Sequence, residues 1–442
     1  MIEDRTEREL RSWMRSIAPT DAPEVLRNWA RQLPNQEPKR RGLLRVWRGA
    51  RPVVASGVAI ALVIGVASVG SWMLGLGETG HPSPKESKSS SSIPTSSPGA
   101  GDLAPAIDEA GTFGGGGLWA RRGSVLFASS DGGATWRRGG LPANVVSLFV
   151  LNSQLAWALT LGPGSTPNAG DPTHDVLRIV VSRTTDGGTT WQTASVPGNY
   201  PDTQPVVTFA DASHGFIVTA PDRFSLGMGT VLRTDDGGRS WSAVGTTDAL
   251  GANVATQPGG STLWAGANAW AGGIGPWLLQ VSRDGGASWT TIDLPGLAGA
   301  RSPETYLLGP PVFLNAYDGV VVVVDGDSPA LLHFFRTADG GRSWTAATPV
   351  PAASLGRPAI LSVDHWLASE AAGGSLVETV DAGANWRQIQ PRGIADPILW
   401  LGFADALHGA ALVQIGDTPV PPKFFLTSDG GHRWSPADLG PP

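Results

Sequence analysis

Seven aspartates recur in one local pattern and are the first candidates for chemistry. Each follows a Ser or Thr by two residues, opens a glycine-containing turn and stands five residues before a Trp, as in "TTDGGTTW" from Thr184. We call this pattern the box. The Asp and Trp of successive boxes are Asp131 and Trp136, Asp186 and Trp191, Asp236 and Trp241, Asp284 and Trp289, Asp339 and Trp344, Asp381 and Trp386, and Asp429 and Trp434.

The residue types in the box favour a structural turn over a metal site. The Ser or Thr hydroxyl and the Asp carboxylate can accept hydrogen bonds from the amides of a tight turn, glycine can adopt positive φ there, and the Trp can bury its ring between sheets. A calcium loop needs several carboxylates at alternating positions, whereas most boxes supply one. We therefore expect no metal and no cofactor at the boxes.

One further stretch combines residues of catalytic types. "ARSPETYLLGPP" holds Arg301, Glu304 and Tyr306 in what we expect to be a loop. A guanidinium group, a carboxyl group and a phenol together could serve glycoside hydrolysis, but a loop of mixed polar residues more often binds a partner or covers a surface. The chain has no Cys, and it shows no phosphate-binding loop and no Ser-His-Asp order.

Aromatic and basic residues outside the boxes mark a candidate binding site. Trp270 and Trp277 lie in "ANAWAGGIGPW", and Arg223 lies in "PDRFSLGMG". With Arg301 and Tyr306 they could hold a peptide or a sugar, because exposed aromatics on loops act as anchors. The two Trp side chains could instead fill a small core of their own loop, and both interpretations stay open.

The spacing of the boxes predicts the fold. Successive box aspartates are 42 to 55 residues apart, a period that suits one four-stranded antiparallel sheet. Between boxes, segments such as "VVTFADASHGFIVT" from Val206 are two apolar strands around a polar turn, which is the pattern of a hairpin. We expect an all-β, seven-bladed β-propeller in which strands A, B and C precede the box and strand D follows it. The inner strand of the first blade is expected near Ala106 to Thr112.

Other recurring polar residues fit structural positions in such a repeat. Arg183, Arg233 and Arg336 stand just before a box, where we expect them to cover the next blade and pair with a turn carboxylate rather than form a basic ring. His214 and His408 occupy matching turns, whereas His365 looks isolated.

The pattern Ser/Thr-x-Asp-x-Gly-x-x-Trp resembles the Asp-box, or bacterial neuraminidase repeat. Together with the hairpins, it makes residues 106–442 similar to propellers of the photosystem II stability and assembly factor type. The resemblance implies that the boxes lie on C–D turns, away from the active face, and that the propeller binds a partner. Sialidases share the box, but their Arg-Ile-Pro motif ahead of the first box is missing here.

A membrane anchor is predicted ahead of the propeller. The chain runs from Pro52 to Gly77 without a charged residue, long enough to cross a bilayer as a helix. Six basic residues from Lys39 to Arg51 precede this segment, whereas Lys85 and Lys88 after it are balanced by Glu78 and Glu86, so we expect the N-terminus to lie in the cytoplasm. Residues 1–51 carry 12 Lys and Arg against 7 Asp and Glu, and the remainder carries 20 against 31. We expect a cytoplasmic helical segment at 1–51, a transmembrane helix at 52–76, a Ser/Pro-rich linker at 77–105 and an extracytoplasmic propeller at 106–442.

These features support three hypotheses. We favour a membrane-anchored scaffold or assembly factor that binds a protein or peptide without catalysis. The alternatives are a carbohydrate-active or glycan-binding propeller, and a sensor that couples the propeller to the cytoplasmic helices. Nucleic acid is disfavoured as a partner, because the part beyond residue 51 is acidic.

Overall fold

The structure is a computed structural model that describes residues 106–113, 116–165, 177–200, 205–219, 229–247, 254–268, 277–297, 305–325, 331–351, 358–369, 374–415 and 421–440. The predicted segments 1–51, 52–76 and 77–105 lie outside these residues. Within the described ranges, no helix has the length and apolar character needed to cross a membrane.

In the described residues, thirty strands form seven antiparallel sheets, which are the predicted blades. In chain order the first four blades are β1 (Glu109–Phe113), β2 (Gly117–Arg122), β3 (Val125–Ser129) and β4 (Arg137–Gly140); β5 (Val145–Val150), β6 (Ala156–Leu161), β7 (Ile179–Thr184) and β8 (Gln192–Ser195); β9 (Val206–Phe209), β10 (Gly215–Val218), β11 (Gly229–Thr234) and β12 (Ser242–Thr247); β13 (Val254–Thr256), β14 (Leu263–Asn268), β15 (Trp277–Ser282) and β16 (Thr290–Ile292).

The last three blades are β17 (Thr305–Leu307), β18 (Val312–Phe313), β19 (Gly319–Asp325), β20 (Leu331–Thr337), β21 (Thr345–Ala346) and β22 (Val350–Pro351); β23 (Ala359–Ile360), β24 (Trp366–Ser369), β25 (Leu376–Thr379) and β26 (Arg387–Ile389); β27 (Ile398–Phe403), β28 (Gly409–Val413), β29 (Lys423–Thr427) and β30 (Ser435–Pro436). Blade 5 has six strands because its inner strand is divided into β17 and β18 and its outer strand into β21 and β22. Pro310 and Pro311 stand at the inner division and cannot donate to the ladder.

Burial follows the position of a strand within its blade. The second strand of each blade is largely apolar, as in β19 of blade 5, where Val320 to Val324 are all buried. A strand covered by blades on both faces needs such a continuous apolar run. The outer strands are polar, and both residues of β21 are exposed. The predicted all-β, seven-bladed architecture is therefore confirmed.

Seven hydrophobic clusters lie between blades, one at each junction. Between blades 2 and 3, the rings of Trp157 and Phe209 stack with centroids 3.6 Å apart. Between blades 5 and 6, Phe334 and Trp366 stack at 5.2 Å. The cores thus belong to pairs of neighbouring blades, as the packing of repeated sheets requires.

The ring closes between blade 7 and blade 1. Ile107, which is fully buried, packs with Phe127 of blade 1 and Phe424 of blade 7 in one cluster. Its N–H donates to the carbonyl of Pro422 at 3.1 Å, and Ala106 forms an antiparallel bridge with Lys423. The inner strand expected near Ala106 to Thr112 is β1, with Glu109–Phe113 as its bounds.

Candidate binding face

The strands of all blades run in the same order and direction, which gives the propeller two distinct ends. The A–B turns and the boxes, which join strands C and D, lie together at the box end. In five blades the residue after the box Asp donates its N–H to a carbonyl of the A–B turn, for example Gly187 to Gln154 at 2.9 Å and Gly237 to Ser213 at 2.8 Å. The B–C and D–A connections form the opposite end, which we call the loop end.

Each box is one tightly bonded turn. In blade 2 the Thr184 hydroxyl accepts the N–H of Gly188 at 2.9 Å and donates to Asp186 Oδ1 at 2.8 Å. Asp186 also accepts the N–H and the hydroxyl of Thr190, at 2.9 and 2.6 Å. The bond from the second glycine to the Ser or Thr hydroxyl recurs in all seven boxes.

These hydrogen bonds occupy the carboxylate oxygens that would otherwise bind a metal ion or take part in acid catalysis. The hydroxyl of Thr135, its N–H and the hydroxyl of Ser129 lower the pKa of Asp131 to about 2. Such a carboxyl group is a poor proton donor near neutral pH. No group of three or more His, Asp or Glu within the described ranges is arranged to hold a metal ion.

The box tryptophans differ in burial. Trp241, Trp344 and Trp434 are buried, whereas the other four are half-buried. Trp157, Trp264 and Trp366, which are fully buried, lie instead on the second strands of their blades. Trp157 Nε1 donates to the carbonyl of Gly237 in the next box at 2.9 Å. A Trp within an apolar second strand is the sequence feature that indicates these inter-blade contacts.

The arginines before the boxes make local contacts. Arg233 binds Asp235 at 2.7 Å, and Arg336 reaches Asp364 of blade 6 at 3.5 Å. The guanidinium group of Arg183 lies 5.9 Å from the ring centre of Trp157. These contacts agree with the expected structural role.

His365 is not isolated, contrary to the expectation from sequence. It occupies the same turn position as His214 and His408, and its Nε2 lies 2.7 Å from Glu378 Oε1. Arg387 Nε donates to the second Glu378 oxygen at 2.6 Å. Glu378 stands immediately before a box, where three other blades have Arg, and it is 2% exposed. Pairing across strands brought together residues that are distant in sequence.

Most predicted binding residues fall outside the described residues. Trp270, Arg301, Glu304 and Arg223 are in that group. Trp277 begins strand β15, where its backbone pairs with Asn268, so its predicted place on a loop is wrong. Its side chain is not among those described.

Tyr306 also lies on a strand rather than on the predicted loop. It is the middle residue of β17 and pairs with Val324. The side chain is half-buried against the hydrophobic cluster between blades 5 and 6. Burial raises the pKa of the Tyr306 phenol, which opposes the ionisation that a nucleophile needs.

A cavity of about 380 Å³ lies at the loop end of blade 2. The buried side chains of Ile179 and Val196 line its floor, and the exposed residues Arg178, Ser195 and Asn199 line its rim. The Arg178 guanidinium group donates a hydrogen bond to the Pro163 carbonyl at 3.3 Å. The mixture of an apolar floor with a cation, a hydroxyl and an amide suits a polar ligand such as a peptide segment.

The walls of the cavity are held by the backbone. Val196 donates its N–H to Ile179 at 2.9 Å, and Leu177 exchanges two hydrogen bonds with Tyr200 at 2.8 and 3.0 Å. The Tyr200 hydroxyl donates to the Pro197 carbonyl at 2.5 Å. Gly198 adopts φ 111°, and a Cβ there would lie 2.9 Å from the Tyr200 hydroxyl. The sequence did not identify the rim residues, because Arg178 lies before β7 whereas Ser195 and Asn199 lie at the end of β8 and after it, and only the folded blade brings them together.

One curated relative shares part of the sequence. The chain is 31% identical over 144 residues to the photosystem II assembly lipoprotein Ycf48 of Synechococcus sp. (strain CC9902). The match covers 32% of this chain and 35% of that protein, so the chain spans about a third of the relative's length. No protein-family model matches the chain.

Solved structures with similar architecture have low sequence identity. YCF48 bound to D1 peptide is 16% identical, with 74% of this chain and 90% of that chain covered and a TM-score of 0.42. The GH74 enzyme of Niastella koreensis is 14% identical, with 75% and 54% covered and a TM-score of 0.48. The blades and the curated relative together confirm the resemblance that the boxes indicate. The chain is a seven-bladed β-propeller with partial sequence similarity to a photosystem II assembly protein.

Proposed function

We propose that the protein is a membrane-anchored, extracytoplasmic scaffold that binds a protein or peptide at the loop end of its propeller and does not catalyse a reaction. The cavity of blade 2 carries this proposal. Arg178 can pair with a carboxylate, Ser195 and Asn199 can bond to a peptide backbone, and Ile179 and Val196 can accept an apolar side chain.

The hydrogen bonding of the box aspartates, Glu378 and Glu109 supports binding over hydrolysis. A glycoside hydrolase needs two carboxyl groups facing a sugar. The box aspartates bond to their own turns at the other end of the blades, for example Asp284 to Ser288. Glu378 is held by His365 and Arg387, and Glu109 by Arg121 at 3.1 Å.

The relative supports a role in assembly. Ycf48 is named an assembly lipoprotein, and the two sequences are similar over 144 residues. The anchor and the extracytoplasmic placement rest on the apolar segment 52–76 and on the basic residues before it.

A capture experiment tests the proposal. The full chain in detergent would be used to capture proteins from a membrane extract, and the same material would be applied to a glycan array. One variant carries Arg178→Glu with Asn199→Ala, and a second carries Trp270→Ala, Trp277→Ala and Arg301→Ala. The matched control is Arg137→Glu, which alters an exposed arginine at the box end.

We expect a protein partner that is retained by the Arg137→Glu control and lost, by about tenfold or more in affinity, with Arg178→Glu/Asn199→Ala. A partner retained by both loop-end variants would contradict the binding site. A glycan ligand without a protein partner would overturn the scaffold in favour of the carbohydrate-binding hypothesis.

A further inference from the structure

The outer strand of blade 2, β8, has one edge that faces away from its own sheet. Val180 and Ser195 are register partners in the β7–β8 ladder, and the N–H of Val196 donates to the carbonyl of Ile179 at 2.9 Å. In an antiparallel ladder this pattern makes Val180 and Ser195 a pair without mutual hydrogen bonds. The N–H and the carbonyl of Ser195 therefore point away from β7, toward the outer edge of the blade.

Blade 1 shows how a following blade can satisfy these two backbone groups. Gly140 of β4 matches Ser195, since each stands four residues after the Trp of its box and the next N–H donates back to the third strand of the blade. The N–H of Gly140 donates to the carbonyl of Gly188, in the box of blade 2, at 3.0 Å. The carbonyl of Gly140 accepts the indole N–H of Trp191 at 2.7 Å. Both outward groups of Gly140 are thus bonded to blade 2.

The box of blade 3 does not cover β8 in the same way. Its tryptophan, Trp241, is buried, and the indole N–H donates to the carbonyl of Gly238 in its own box at 3.2 Å. Gly238 corresponds to Gly188, so the carbonyl that would receive the Ser195 N–H is bonded to Trp241 instead. Within the described ranges, neither outward backbone group of Ser195 has a hydrogen-bond partner, and the residue is exposed. An unpaired edge of this kind is a template for an added strand.

The cavity of blade 2 lies beside this edge. Val180 and Ser195 both line it, and residues directly opposite each other project their side chains to the same face of a sheet. In an added strand, the residue opposite Ser195 would place its side chain on that face as well, next to the cavity. Arg178 lines the cavity, and no Asp or Glu is among the described residues that do so. A carboxylate is therefore the complementary side-chain group.

We propose that a peptide segment adds to the edge of β8 as an extended strand and places an Asp or Glu side chain beside Arg178. This inference rests on the proposed function and specifies how the cavity of blade 2 holds its partner. The outward N–H and carbonyl of Ser195 match the backbone of an extended peptide, which gives affinity, while the cavity selects the side chain. A second copy of this chain, paired edge to edge, fits less well, because β8 contains no carboxylate for Arg178.

Fluorescence anisotropy with the full chain in detergent tests this inference. The probe is a short labelled peptide of alternating Thr and Val with one central Glu. Two derivatives carry N-methyl groups, one on the odd residues and the other on the even residues. Because alternate residues of a strand direct their backbone groups to opposite sides, only one derivative loses the amides that face β8. A further peptide has Gln in place of Glu.

Three protein variants accompany the peptides. Ser195→Pro removes the outward N–H and spares the β7–β8 ladder, because Pro is tolerated on an edge strand where the N–H faces solvent. The matched control is Ala346→Pro on the outer strand of blade 5, where Ala347 donates its N–H to Phe334 at 2.8 Å and the N–H of Ala346 likewise points outward. Arg178→Gln removes the charge that pairs with the Glu of the peptide. Thermal denaturation checks that each variant is folded.

We expect wild type and Ala346→Pro to bind the parent peptide and one of the two N-methylated peptides with equal affinity. The other N-methylated peptide should bind wild type about tenfold or more weakly, and Ser195→Pro should bind the parent peptide with a similar loss. The Gln peptide should bind wild type as weakly as the Glu peptide binds Arg178→Gln, and salt should weaken only the pairing of Glu with Arg178.

Equal effects of the two N-methylated sets, wild-type affinity in Ser195→Pro, or no binding of the parent peptide would overturn the added strand. The N-methylated peptides decide the matter even where Ser195→Pro fails to fold. These failures leave the proposed function standing if the capture experiment still yields a partner that Arg178→Glu/Asn199→Ala loses. A dimer in sedimentation that Ser195→Pro abolishes would overturn the inference in favour of a second copy of this chain.

Discussion

A single buried hydroxyl group organises each box. Thr234 is 1% exposed, and its hydroxyl accepts the N–H of Gly238 at 2.9 Å while donating to Asp236. Thr234→Val keeps the shape and leaves a buried amide without its partner, so we expect a loss of about 1–3 kcal/mol in the free energy of unfolding. Urea denaturation measures this loss in the free energy of unfolding. Thr230→Val, on the same strand but outside the turn, is the control, and an equal loss in both variants would refute the role of the hydroxyl group.

The box carboxylates predict how stability depends on pH. Hydrogen bonds to the folded form, the largest from the side chains of Thr135 and Ser288, lower the pKa of Asp131 and of Asp284 from 3.8 to about 2. Because the folded pKa lies below the unfolded one, the stabilisation is complete above about pH 4 and is lost as the pH falls through 2. Because these carboxylates are exposed to solvent, each contributes only a small amount to the free energy of unfolding.

We therefore expect the urea midpoint of the wild type to fall between pH 4 and pH 2, a range set by the pKa values of 3.8 and about 2. The triple variant Asp131→Asn, Asp186→Asn and Asp284→Asn removes three of the titrating groups, so its midpoint should fall less over this range. Parallel pH profiles for the two proteins would show that the box aspartates do not set the acid sensitivity.

The sequence predicts the role of some site residues and not of others. The turn role of the box Asp could be inferred because a local motif carries its own hydrogen-bond partners. The contact of Glu378 with His365 and Arg387 could not, since it depends on which residues face each other across strands. Arg178 was missed for the same reason, because its neighbours Ser195 and Asn199 come from another strand end.

At the scale of the strand and turn, close approach between blades limits which residues fit. Gly286 adopts φ 93°, and a Cβ there would lie 2.5 Å from Val231 Cγ1 of the preceding blade. Gly123 has φ 58° but open space around it. We expect Gly123→Ala to cost about 1–2 kcal/mol from backbone strain alone, and Gly286→Ala about 2–5 kcal/mol because overpacking is added. Thermal denaturation compares them, and equal costs would contradict the packing explanation.

Strand boundaries were harder to predict than strand number. The seven blades followed from the box period, but Tyr306 and Trp277 were assigned to loops. Pro310 and Pro311 indicated a turn near Tyr306, whereas pairing with β19 keeps Thr305–Leu307 extended. Trp277 follows a glycine-rich stretch, and its strand begins there because Asn268 at the end of β14 provides a partner. The residues at which these strands begin and end are set by pairing with the neighbouring strand rather than by local sequence.

At the scale of the molecule, the ring depends on the contact between its first and last blades. Ile107 is fully buried in the cluster shared by blades 7 and 1, so Ile107→Ala should cost about 2–5 kcal/mol. Thr112→Ala, at an exposed position on β1, is the control and should change stability by no more than about 0.5 kcal/mol. Denaturant unfolding measures both.

A deletion tests the same closure more severely. Removing 106–112 takes away most of β1 together with Ile107, and we expect early thermal unfolding and rapid proteolysis of the propeller. Removing 77–99 from the predicted linker should leave the melting temperature unchanged. Equal tolerance of the two deletions would show that blade 1 does not need its inner strand.

The central claim is that the propeller binds a partner at its loop end while the boxes maintain the fold. Hydrogen exchange of the full chain with and without the captured partner tests it most directly. The account predicts slower exchange at 161–165, 177–180 and 195–200, which surround the cavity of blade 2, and unchanged exchange at the A–B turn of the same blade, 151–155. Protection confined to that turn, or no change at the cavity, would contradict it.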